Sequence, residues 1–116
     1  MSQSAAQAAA FFVEVTRTGR LWTVRDAGGY PAPRDADGRR SAPFWSSEAR
    51  VRRVIANVPA YSAFVPDELA LAAWRGRWLP GLERDGLLVG LNWTGPRATG
   101  YDFTPAEVLA RLTAAS

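Results

Sequence analysis

Apolar residues recur along this chain in two rhythms. Over residues 4–18, Ala8, Phe11, Phe12 and Val15 stand three and four apart, the repeat that lines one face of an α-helix, and the spacing predicts a helix there. Ser4-Ala-Ala-Gln7 has the form of a capping box at its start, and Gly19 stands where a left-handed residue ends a helix. Leu21-Trp-Thr-Val-Arg-Asp26 alternates instead and is rich in β-formers, so it predicts a strand. Ala27-Gly-Gly29 is then a turn, after which Tyr30 and Ala32 are placed to pair back as a short strand. Pro31, Pro33 and the charged run over 34–40 predict an exposed loop.

The second half repeats the alternation of strand and helix. Ala42-Pro-Phe-Trp45 reads as a short strand running into a helix capped by Ser46 or Ser47, with an apolar stripe of Val51, Val54, Ile55 and Val58 and a stop at Pro59. Arg50, Arg52 and Arg53 fall off that stripe, and Glu48 stands four residues before Arg52, the spacing of a surface ion pair. Pro66 limits residues 62–71 to an edge strand at best. Leu71, Trp74 and Trp78 share a helical face, and Pro80 opens a second short turn that Gly86 ends. Leu87-Leu-Val-Gly-Leu-Asn-Trp93 is the strongest strand signal, apolar on both faces at its start as a central strand is. A turn-rich loop over 94–100 leads to a last short strand, Tyr101 to Phe103. In Thr104-Pro-Ala-Glu107 a cap, a first-turn proline and a box-closing glutamate agree on a helix start, and Val108, Leu109 and Leu112 are its expected buried face. The expected fold is α+β: one globular domain over 1–116, with a small, largely antiparallel sheet of three to five strands and about four helices packed on it.

Composition narrows the chemistry. The 116 residues are 47% hydrophobic and 22% charged, the balance of a folded domain. All 14 basic residues are arginine, because the chain has no lysine, and it also lacks histidine and cysteine. Zinc fingers, thiol nucleophiles, disulfides, imidazole bases, Schiff bases and phosphate-loop lysines are therefore excluded. A formal charge of +3 against a pI near 10.2 reflects arginines that do not titrate more than a basic surface. The start of the sequence lacks a basic region and a long apolar run, so no secretory signal and no membrane span is expected, and the cytoplasm is the expected location.

Four segments taken in order resemble a known family. Leu21-Trp-Thr-Val-Arg-Asp26 with Gly28-Gly29, then Pro43-Phe-Trp-Ser-Ser47 opening a helix, then Trp78-Leu-Pro-Gly-Leu-Glu-Arg-Asp-Gly86 before Leu87-Leu-Val-Gly-Leu-Asn-Trp93, are similar to the small bacterial family catalogued as domain of unknown function 2750. The resemblance runs from about Phe12 to Leu112 and implies a compact, single-domain bacterial protein. It carries over neither an activity nor a catalytic residue. Asn92-Trp93-Thr-Gly-Pro-Arg97 departs from the plainer turn that the family pattern leads one to expect.

The candidate site is a polar-aromatic set, Trp22, Arg25, Trp45, Asn92, Trp93, Arg97 and Tyr101, at strand ends and in a Gly/Pro-rich loop, where binding groups are mounted on a rigid sheet. Arg25 or Arg97 is suited to clamp a carboxylate or phosphate beside a tryptophan face. The plainer alternative puts the tryptophans in the core, Asn92 in a turn and the arginines over aromatic surface. Ser46 and Ser47 have no usual base to activate them and read as caps. Asp26, Asp35 and Asp37 lack the remaining ligands of a calcium loop, and Glu83 and Asp85 read as surface charge. Gly95 to Gly100 lacks phosphate-loop spacing. Arg39, Arg40, Arg50, Arg52 and Arg53 are interleaved with acids, which favours a solvated face over a nucleic-acid patch.

By elimination the expectation leans away from an enzyme and towards a non-enzymatic protein-binding module, of interaction or immunity type, with no cofactor and no metal. The alternative is a protein that binds, or acts on, a small anion or nucleotide through Arg25, Asn92, Arg97 and Tyr101.

Overall fold

The computed structural model describes residues 2–35 and 37–115; Met1, Ser116 and Ala36, the last within the loop expected over 34–40, lie outside them. The first helix, α1 (Gln3–Thr18), buries Ala8, Phe11, Phe12 and Val15, the four positions its repeat singles out, and ends on Gly19 at φ 74°. Its cap is Ser2 and not Ser4, because the Ser2 hydroxyl already accepts the Ala5 N–H at 3.1 Å and draws Ser4 into the first turn. Strand β1 (Arg20–Arg25) follows. Its antiparallel partner is not Tyr30–Ala32 but a distant strand, β3 (Val65–Ala70), in register from Arg20 opposite Ala70 to Arg25 opposite Val65. Pro31 and Pro33 have no N–H for a ladder, so the return pairing stops at the Asp26–Gly29 bridge. Pro66 sits on the edge strand, as a proline must.

A second sheet carries β2 (Ser41–Phe44), β4 (Leu88–Leu91) and β5 (Asp102–Phe103), with β4 in the centre. β4 pairs antiparallel with β5 but parallel with β2, and β1 and β3 form a separate two-stranded sheet. Among the described residues a single rung joins the sheets: Trp22 and Trp45 exchange N–H···O bonds of 2.8 Å in both directions. Between β2 and β4 the chain makes α2 (Glu48–Asn57), capped by Ser47, and a helical stretch in which α3 (Leu71–Ala73), a π-helical turn (Trp74–Trp78) and α4 (Leu79–Arg84) follow without a break. Pro80 stands at the second position of α4, directly after the π-helical turn. The last helix, α5 (Pro105–Ala115), starts on the expected box, with Thr104 Oγ1 accepting the Glu107 N–H and Glu107 Oε1 accepting the Thr104 N–H.

The period of two in the strands decides what the sheet presents. Ala42, Phe44, Val89, Leu91 and Phe103 face one way and form, with α1, Trp74, Leu79 and α5, the larger core. In α5, Pro105, Val108 and Leu112 are the buried positions, spaced three and four apart; Leu109 is one residue off that line and 40% exposed, contrary to expectation. A second core gathers Val24, Trp45, Val51, Val54, Tyr61 and Trp93 under α2.

Candidate functional site

On the other face of the three-stranded sheet stand Ser41, Pro43, Leu88, Gly90 and Asp102, brought level by the register Pro43–Gly90–Asp102. No large side chain rises from Gly90, and the indole of Trp93 lies in that space: a β-carbon built on Gly90 would come within 2.2 Å of Trp93 Cε2. Gly100 flanks the same ring, with a built β-carbon 2.8 Å from Cδ1. Trp93 Nε1 donates to the Tyr101 carbonyl at 3.3 Å, and Trp93 in turn accepts the Trp45 indole N–H on its own carbonyl at 2.8 Å. The ring is therefore fixed from above, below and the edge.

Beside it opens a cavity of about 290 Å³. Ser41 and Asp102 line it from the sheet, Trp93 and Tyr61 give it aromatic walls, and Arg34 and Arg97 come from the two loops that border it. The loop after β4 has the geometry to do this. A Thr94–Thr99 bridge closes it, Gly95 and Ala98 take left-handed φ of 87° and 51°, and the Ala98 N–H returns to the Gly95 carbonyl at 3.1 Å. Arg97 is carried at the tip, exposed, with no hydrogen bond or ion pair among the described residues. Ala98 is turned inward and buried.

Two polar atoms on the sheet side of this cavity are unusual. Ser41 is 1% exposed, and neither its Oγ nor the buried Asp102 Oδ1 has a hydrogen-bond partner of good geometry among the described residues. Buried polar groups are nearly always paired, since leaving one bare costs about 1–3 kcal/mol. Burial pushes the Asp102 carboxyl above the ordinary aspartate range; the nearby Ser41 hydroxyl and Arg39 oppose this in part, while Asp35 adds to it. Burial alone lifts the Tyr61 phenol to about 12, so it remains a neutral hydroxyl. The sheet side of the cavity thus holds two buried, poorly paired polar atoms, while its loop side carries exposed charged residues.

The expected set divides among several places. Trp93 and Arg97 border the cavity. Trp45 is 1% exposed and belongs to the second core, while Trp22 is half-buried against it. Arg25 lies on the first sheet, 3.8 Å from Asp67, which also accepts the Tyr30 hydroxyl at 2.6 Å. Tyr101 is exposed, with its hydroxyl 3.4 Å from Ser2 Oγ, and does not line the cavity. Arg97 and Tyr101 therefore do not converge.

Asn92 serves a different purpose. At φ 53° it turns β4 into the loop, and its amide grips Ser46: Oδ1 accepts the Ser46 N–H at 2.9 Å and Nδ2 donates to Ser46 Oγ at 3.0 Å. Nδ2 also donates to the Gln7 carbonyl at 3.1 Å. Ser46 Oγ passes its proton towards Glu14 Oε1 at 2.6 Å, and Arg50 holds both Glu14 oxygens, at 3.0 and 2.8 Å, and the Gln7 side chain at 2.6 Å. Every member is satisfied, which makes this network a clasp between α1, α2 and β4. It also removes Arg50 from any basic patch. Arg52 is paired with Glu48, Arg39 with Asp35, and Arg40 donates to the Ala32 carbonyl. Asp35 heads a tight turn, accepting the Asp37 and Arg39 N–H groups on Oδ1.

Ser41, Tyr61 and Asp102 were not among the residues expected from the sequence. The signals that point to them are the glycine inside the central strand, which marks a close approach, and the polar partner of Phe103 in a two-residue strand.

The fold and cavity define a small α+β protein whose site lies on the polar face of a three-stranded sheet. The chain belongs to the family described as protein of unknown function DUF2750, whose pattern it matches over residues 8–112. No curated protein matches it significantly.

Proposed function

We propose that this protein works by reversible, non-covalent binding of a small molecule in the cavity between Trp93, Tyr61 and the Ser41–Asp102 side of the sheet. The observation that carries the reading is the cavity of about 290 Å³ itself, walled by Trp93 and Tyr61 and bordered by charged side chains from two loops, Arg34, Asp35 and Arg97. A concave, partly aromatic site with a few polar groups at its border is the usual form of a small-molecule site. Of the expected site residues, Trp93 and Arg97 take part. A partner protein anchored on Trp22, Trp45 and Trp93 has less support, since two of the three indoles are inside. The reading takes the protein to be bacterial and cytoplasmic, in keeping with the family resemblance and the absence of cysteine. Among the described residues no helix is long and apolar enough to cross a membrane.

The test is a fragment screen on the ¹⁵N-labelled full chain, following the five indole N–H signals. Compounds that shift Trp93 saturably and lose that effect in Ser41→Ala and Asp102→Asn support the reading. Hits that bind the two variants as tightly as the native chain overturn it.

A further inference from the structure

The charges around the cavity narrow the class of ligand, and this step rests on the cavity being a binding site. Four charged residues line it: Arg34, Asp35, Arg97 and Asp102. The two acids are committed within the protein. Asp35 Oδ1 accepts the Asp37 and Arg39 N–H groups, and its Oδ2 lies 3.4 Å from the Arg39 guanidinium. Asp102 Oδ1 is buried in the sheet-side wall beside the Ser41 hydroxyl, and that burial favours the uncharged carboxyl. Tyr61 remains a neutral phenol and adds no negative charge. The two arginines are not balanced in this way. Arg34 gives an N–H to the Gly38 carbonyl at 3.0 Å, an uncharged acceptor, and has no ion pair among the described residues. Arg97 has neither a hydrogen bond nor an ion pair among them. Both are exposed, and they reach the border of one cavity from different loops. A guanidinium has five N–H donors and no acceptor, so most of the donors of this pair are unused. An acidic group set between two like charges takes up those donors and relieves their repulsion.

We infer that the ligand is a small organic acid, its carboxylate or phosphate monoester bound by Arg97 and Arg34 at the border and its apolar body extending inward toward the Ser41–Asp102 wall. The inner lining suits such a body, with Pro33, Ala60, Ala98 and Tyr61 contributing largely apolar surface. The volume of about 290 Å³ lies at the small end of ligand sites and limits that body in size. The reverse orientation is disfavoured, because an acid turned inward would lose its hydration near a second carboxyl. A carboxylate and a phosphate monoester share the chemistry of the head and differ in charge and in the number of their oxygens.

Four probes built on a phenyl ring separate the terms: 3-phenylpropionate, its neutral amide, 2-phenylethylamine and 2-phenylethyl phosphate. Each is titrated into the ¹⁵N-labelled full chain at neutral pH while the Trp93 indole N–H is followed. At least one of the two acids should bind, and the amide and the amine should bind at least about tenfold more weakly. The tighter of the two acids identifies the head group. Arg97→Gln and Arg34→Gln should each weaken the acid by about tenfold. Arg34→Lys, which keeps the charge, should restore most of what Arg34→Gln loses. Arg84→Gln, at an exposed arginine of α4 outside the cavity lining, should leave acid binding unchanged. The inference is overturned if the amide or the amine binds as tightly as the acids, or if either glutamine variant at the border leaves acid binding unchanged. An equal loss in Arg84→Gln also overturns it, since the attraction would then belong to the whole surface. If the acids fail while neutral or cationic fragments still shift the Trp93 signal, the acid assignment falls and the binding site stands. If no class of compound shifts it, both fall.

Discussion

Trp93 rests on Gly90 so closely that no other residue fits beneath it: the β-carbon of an alanine would overlap the indole at 2.2 Å. Because Gly90 is in the central strand and paired with both neighbours, the strand cannot move aside, and the ring must. Gly90→Ala is therefore expected to lower stability by about 3 kcal/mol, read from a urea midpoint, and to change the Trp93 fluorescence. Gly76→Ala is the contrasting case. Gly76 lies within the helical stretch with nothing within 4 Å of a built β-carbon, and that substitution should raise stability by about 0.5–1 kcal/mol.

The clasp around Asn92 gives a second expectation. Asn92→Ala leaves the Ser46 N–H and the Gln7 carbonyl without their partner and replaces a residue that tolerates a left-handed φ by one that does not. It should cost about 2–4 kcal/mol in chemical denaturation. Asn92→Gly keeps the turn but loses the same bonds, so it should cost about 1 kcal/mol less than alanine. Equal losses in the two variants would mean that the backbone at Asn92 is not under constraint.

Acid should act through Glu14. The Arg50 guanidinium, with help from the Ser46 hydroxyl, holds its carboxyl below the ordinary value of 4.5 against the opposing effect of burial. A carboxyl depressed in the folded state adds stability above its unfolded value, and that stability is lost as pH falls through the folded value. Glu14→Gln should thus be less stable than the native chain at pH 7, by about 1–2 kcal/mol, and the gap should close below pH 4.5. Thermal melts across that range decide it. Asp35 and Glu107, also depressed by their turn and cap bonds, keep some acid sensitivity in the variant.

The opposite sign applies to Asp102. A carboxyl raised in the folded state favours folding while protonated, and that contribution is lost as pH rises through the raised value. Asp102→Asn removes the charge and should melt at or above the native temperature at pH 7, with the difference shrinking in acid. A variant that melts clearly lower would show that Asp102 has a native partner.

Local signals were readable from the sequence, and non-local ones were not. Gly19, the Ser47 cap, the Glu48–Arg52 pair, the Thr104 box and the central placement of β4 all depend on residues within a turn of each other or on one unbroken apolar run. The parallel pairing of β2 with β4 depends on segments more than forty residues apart, and neither strand bears a mark of its partner's direction. Leu109 is exposed against expectation because three apolar residues near one helix face do not say which two take the centre. At the site, Trp93 and Arg97 stood out by residue type, whereas Ser41 and Asp102 read as ordinary solvent-facing positions. Only the second loop and Tyr61, arriving from elsewhere in the chain, turn those positions into a wall. Arg25 and Tyr101 share with them a placement at strand ends, but the sheet directions carry them apart.

The single rung between Trp22 and Trp45 has a kinetic consequence. Among the described residues the two sheets share only that pair of backbone bonds, supplemented by the Thr23 hydroxyl on the Pro43 carbonyl at 2.9 Å. Both amide protons are released together when the sheets part, and neither is released by fraying of a helix end. Their exchange with deuterated solvent therefore times one opening event of the molecule, and a matched pair of rates at Trp22 and Trp45, distinct from those of β4, would record it.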